Sequence, residues 1–140
     1  MRKKLLLVED DRADQSLMAY AIDQVADVDL MILSDGQQAL EYLQAHAPGT
    51  PQAPSVVFLD LQMPNVNGFE VLRELQKHAG ARRLPIVVFT GASADADIYL
   101  SYRFGANAFV VKPQAAGRLQ EIVKAAATFW LHSNVLPLAS

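Results

Sequence analysis

Five short apolar runs recur along the chain, at residues 5–8, 28–33, 56–59, 86–89 and 109–111. Each is followed by a stretch whose apolar residues return every three or four positions, as Leu17, Ala21 and Val25 do after the first. A run of this length, read alone, is strand or buried helix. At 5–8 its brevity and the acids behind it favour a strand. The first helical stretch carries Leu17, Ala21 and Val25, the next three begin near Gly36, near Gly68 and near residue 94, and the last carries Leu119, Ile122, Val123, Ala126 and Trp130. Pro48, Gly49, Pro51 and Pro54 mark a loop, and Gly105 is well placed to end the fourth helix. Four of the runs are continuously apolar, as strands are when helices cover both faces of a parallel sheet. The pattern predicts an α/β fold, a doubly wound five-stranded parallel sheet.

The bulk numbers agree with one globular domain. The chain has 140 residues, 51% of them apolar and 19% charged, which excludes a disordered chain. It has no cysteine, so disulfides and thiolate chemistry are excluded. No apolar stretch approaches a membrane span, and the one after Met1-Arg2-Lys3-Lys4 stops at Glu9, too early for a signal peptide. A net charge of -3 gives no electrostatic case for nucleic acid. A cytoplasmic protein with no membrane contact is expected.

Function in an open parallel sheet gathers at the carboxyl ends of its strands. There stand Glu9, Asp10 and Asp11 after the first run, Asp60 after the third, Thr90 and Gly91 after the fourth, and Lys112 and Pro113 after the fifth. Ser34 and Asp35, after the second, are read as helix capping, and Asp11 as the start of the first helix. Crowded carboxylates raise one another's pKa, and a divalent cation relieves them. With only hard oxygen donors on offer, Mg2+ is the natural choice. An aspartate beside Mg2+ and a lysine is a candidate nucleophile for phosphoryl transfer, with Thr90 placed to hydrogen-bond a phosphoryl oxygen. His46, His78 and His132 have no metal-ligand spacing.

The segments LLLVEDD, FLDLQMPNVNG, VVFTGA and FVVKP, in this order over residues 4–126, resemble the receiver domain of two-component response regulators. The resemblance implies a flavodoxin-like (βα)5 receiver fold that is not an enzyme in its own right. By position, Asp60 corresponds to the phosphoacceptor, and Asp10 to the direct Mg2+ ligand with Glu9 acting through water. Gln62 would lend its backbone carbonyl to the metal. Thr90 and Phe109 stand at the switch positions, Lys112 at the invariant lysine, and Lys112-Pro113 at a peptide usually cis. A sensor histidine kinase would supply the phosphoryl group.

The segment TFWLHSNVLPL, with the long loop after the second helix, resembles the small stand-alone regulators paired with phytochrome-type histidine kinases. This implies a receiver over 1–127, a helix end and apolar tail over 128–140, and no separate output domain. Output would then be protein contact or phosphorelay to a downstream phosphotransfer or effector protein. Ile98 and Tyr102 read either as core or as a partner surface beside Phe109. Phe129, Trp130 and Leu131 read either as closing the core's end or as packing on a second subunit with Val135, Leu136 and Leu138, and a homodimer is the favoured expectation. Two other classes fit less well. A phosphatase with an aspartate nucleophile needs a second acid where Gln62 stands. A flavin or nucleotide carrier needs a phosphate loop where Glu9, Asp10 and Asp11 would repel phosphate.

Overall fold

The computed structural model describes residues 2–78 and 83–136. Leu138 lies outside them. Strands β1 (Lys3–Val8), β2 (Val28–Leu33), β3 (Val56–Leu59), β4 (Ile86–Thr90) and β5 (Ala108–Val111) form one parallel sheet in the order β2-β1-β3-β4-β5. Between and after them run α1 (Arg12–Asp23), α2 (Gly36–Ala45), α3 (Gly68–Gln76), α4 (Asp95–Arg103) and α5 (Ala116–Thr128). The alternation predicted from the apolar runs is the one observed.

Successive strand residues point to opposite faces, so a continuously apolar strand feeds two cores. In β1, Leu5 and Leu7 join the core beneath α1 and α5, whereas Leu6 and Val8 join the core beneath α2 and α3. Val56 and Phe58 of β3 divide from Val57 and Leu59 in the same way. The central strands β1, β3 and β4 are therefore sealed on both sides, and their carboxyl ends are fixed points.

The helices that flank the site start on side chains suited to it. Asp11, Asp35 and Asn67 each accept the main-chain N–H three residues on, at the starts of α1, α2 and α3. Gly105, at φ +102°, closes α4, with the Ala106 N–H reaching Ser101 O at 2.9 Å. This left-handed position favours glycine.

Helix α4 departs from the core reading of its apolar residues. Ser101 is its one buried residue; Ile98 is half-buried, and Tyr99 and Tyr102 are exposed. The C-terminal segment also corrects an expectation. Residues Phe129–Ser133 continue α5 as a π-helical turn, and Leu131 is fully buried in the core beneath α1 and α5. It is therefore not available to a second subunit. Phe129 is exposed, while Trp130 and Leu136 are half-buried against that core.

Candidate functional site

Three ladders run one residue past the strands, and each delivers a site residue. The Glu9 N–H donates to Leu33 O at 3.1 Å, the Asp60 N–H to Val8 O at 3.0 Å, and the Lys112 N–H to Thr90 O at 2.8 Å. Glu9, Asp60 and Lys112 are thus held by the sheet itself. Asp10 follows Glu9 directly, and the carboxylate oxygens of Glu9, Asp10 and Asp60 lie within 4.8 Å of one another.

Lys112 is what allows a buried strand to end in a carboxylate. Asp60 is 6% exposed and Glu9 1%. The Lys112 ammonium donates to Glu9 Oε1, to Asp14 Oδ2 at 2.9 Å and to Asp60 Oδ2 at 3.3 Å. The other Asp60 oxygen, Oδ1, accepts the Gln62 N–H at 3.2 Å, and Glu9 Oε2 accepts the Asp11 N–H at 3.1 Å. Each buried oxygen therefore has a donor, as a low-dielectric site requires.

One ammonium does not balance this many acids. Burial, chiefly, pushes Glu9 up to about 7; the hydrogen bond from Lys112 opposes that rise, and the charge of Asp60 adds to it. Burial alone would lower Lys112, but hydrogen bonds to Glu9 and Asp14 and the charges of Asp60 and Glu9 outweigh it and raise its pKa. The surplus negative charge and the cluster of hard oxygens fit a divalent cation held by Glu9, Asp10 and Asp60.

The cleft above these groups has a volume of about 720 Å3 and is lined by Asp10, Asp14, Asp60, Gln62, Gly91 and Lys112 among others. A Cβ at Gly91 would meet nothing within 4 Å, so that wall is open. Thr90 is buried, with its Oγ1 accepting the Ala92 N–H at 3.2 Å. Phe109 is half-buried against the core beneath α2 and α3. The Lys112-Pro113 peptide is trans, against expectation. An X–Pro amide still prefers trans by about 0.5–1 kcal/mol. Ile98, Tyr102, Phe129, Trp130, Leu131 and Leu136 do not line this cleft.

Two features were not read from the sequence. One is Asp14, whose only signal was an acid in the first turn of α1. The other is the tight seating of the loop after β3. A Cβ on Gly68 would lie 2.4 Å from Asp60 O and 2.7 Å from Leu61 Cα, and one on Gly36 would lie 2.1 Å from Val66 O. Gly68 thus lets α3 start against the main chain of Asp60, and Gly36 lets α2 start against the loop that follows it. Gly68→Ala is expected to lower stability by about 1–3 kcal/mol, although alanine favours a helix by about 1 kcal/mol. It should also move the Asp60 amide resonance. A urea melt and an amide correlation spectrum check both, and a stabilised variant with an unmoved amide would refute the clash.

The sequence profile of the response regulator receiver domain matches residues 5–124. Response regulator Rcp1 of Synechocystis sp. is 34% identical over 140 residues, covering 98% of this chain and 95% of that protein. The structure of the Mn2+-bound form of Rcp1 superposes with a TM-score of 0.88 at 33% identity, over 97% of this chain and 99% of that one. The phosphorylated cyanobacterial phytochrome response regulator RcpA superposes with a TM-score of 0.91 at 31% identity, over 99% of this chain and 100% of that one.

Proposed function

The chain belongs to the response regulator receiver domain family, and from that premise we propose that it accepts a phosphoryl group from a histidine kinase on Asp60. The observation that carries this reading is the state of Asp60. It is a buried carboxylate at a sealed strand end, steadied by the Gln62 N–H and by Lys112, and it lines an open polar cleft.

In the step, an Asp60 oxygen attacks the phosphorus of a phosphohistidine. The new P–O bond forms as the P–N bond breaks, and the imidazole leaves with the electron pair and takes up a proton. The Lys112 ammonium, already on Asp60 Oδ2, would offset the charge on the phosphoryl oxygens. Mg2+, held by Asp10 and Asp60, by Glu9 through water and by the Gln62 carbonyl, would supply the remaining neutralisation. Gly91 leaves room for the phosphoryl oxygens. Thr90 would turn its hydroxyl from the Ala92 N–H toward the phosphoryl group, and Phe109 would move into the space released.

The likeness to RcpA supports a phytochrome-type kinase as the donor. Output is then contact with, or phosphoryl relay to, a downstream protein. For that contact the exposed Tyr102, with Ile98 beside it, is the proposed surface, and Phe129, with Trp130 and Leu136, is the proposed homodimer surface. Among the described residues no helix is long and apolar enough to cross a membrane.

Incubation with acetyl phosphate and Mg2+ is expected to add one phosphoryl mass to the native protein and none to Asp60→Asn, and a chelator should abolish the gain. Intact mass spectrometry reads this, with light scattering on the same samples for the dimer. An equal mass gain on Asp60→Asn would sink the assignment.

A further inference from the structure

Three carboxylates share the Lys112 ammonium, and the reading above uses only two of them. We propose that Asp14 is a positioning residue that holds Lys112 back from Asp60 in the resting protein and yields it to an arriving phosphoryl group; this rests on Asp60 being the acceptor.

An ammonium has three protons and accepts nothing. Here they go to Glu9, Asp14 and Asp60, so none is left for a newcomer. The contacts are unequal. Charge-assisted bonds of this type run at about 2.7–2.9 Å. Asp14, at 2.9 Å, holds Lys112 at full strength, whereas Asp60, at 3.3 Å, holds it loosely. The loosely held Asp60 proton passes to the phosphoryl group as Asp60 is esterified, and for that group to claim more of Lys112, Glu9 or Asp14 must let go.

Exposure decides which. The side chain of Glu9 is 1% exposed and that of Asp60 7%, but that of Asp14 is 30% exposed. A released Glu9 would be an unpaired buried charge, which is costly. A released Asp14 turns into water. Its main chain stays where it is, because the Asp14 N–H is fixed on the Asp11 cap at 2.9 Å. The bond to Lys112 can therefore break by side-chain rotation alone. Asp14 competes with the phosphoryl group for Lys112, and its presence weakens capture of the donor.

The test is the acetyl phosphate concentration that half-saturates phosphorylation, measured by intact mass with Mg2+ on native protein, Asp14→Ala and Asp11→Asn. Asp11→Asn is the charge control. It removes one negative charge from the same cleft, keeps a good cap and does not touch Lys112 through its side chain. Asp14→Ala is expected to lower the half-saturating concentration about threefold to tenfold, and clearly more than Asp11→Asn, with the maximal phosphorylated fraction unchanged. Asp14→Asn gives the same direction should alanine loosen α1. Equal changes in the Asp14 and Asp11 variants overturn this inference alone. No phosphoryl mass on native protein overturns the acceptor reading and this inference with it.

Discussion

Lys112→Met is expected to lower the stability of the metal-free protein by about 3–5 kcal/mol near pH 8, and by visibly less near pH 6. The size follows from burial. Lys112 is 10% exposed at its side chain, and its removal takes from buried Glu9 and Asp60 the ammonium that pairs with both. The pH dependence follows from Glu9. Its folded pKa of about 7 lies above the ordinary 4.5, so between these values the folded protein binds the extra proton. Native stability therefore falls as pH rises from about 4.5 through about 7. Without Lys112 the main force holding Glu9 down is gone, so its pKa climbs further and the fall extends to higher pH. Near pH 6 Glu9 is protonated with or without Lys112, whereas near pH 8 native Glu9 is ionised against the ammonium and the variant must either bind a scarce proton or bury a bare carboxylate. Urea melts of both proteins with a chelator measure this, and added Mg2+ should recover part of the loss. Equal losses at both pH values would refute the account.

Leu131→Ala is expected to lower stability by about 2–5 kcal/mol and to leave the oligomeric state unchanged. Leu119, Val123, Ala127 and Leu131 are all buried and four residues apart. On a regular α-helix that spacing drifts round the axis, by about 40° per step at 3.6 residues per turn. The π-helical turn winds less per residue and brings Leu131 back onto the core. Two contacts clamp it there: Lys3 Nζ on Leu131 O, and His132 Nε2 with Ala26 O at 2.7 Å. Phe129→Ser, at the proposed homodimer surface, should behave in the opposite way, with little loss of stability and a lower dimer fraction. Urea melts and light scattering separate the two. A dimer lost from Leu131→Ala with stability intact would return Leu131 to the interface.

The sheet and its order of elements were legible because continuous apolar runs leave a strand few alternatives once helices alternate with them. Asp60, Lys112 and the acids were legible for a related reason: a charge that ends an apolar run needs a partner, and all the strand ends share one edge. The short run FWL was not resolvable. Its three residues have similar chemistry, and what separates Leu131 from Phe129 is helix winding, which side-chain chemistry does not encode locally. Asp14 was missed because an acid in a first turn already has a sufficient role there. Gly36 and Gly68 are legible only after two distant stretches of main chain are seen to touch.

The ion pair between Glu9 and Lys112 joins residues 103 apart, at the carboxyl ends of β1 and β5. During biosynthesis, Asp60 leaves the ribosome well before Lys112 does. A nascent chain thus carries Asp60 for a time without the ammonium that completes its pocket. On the function proposed above, competence to accept a phosphoryl group would arrive only with the fifth strand.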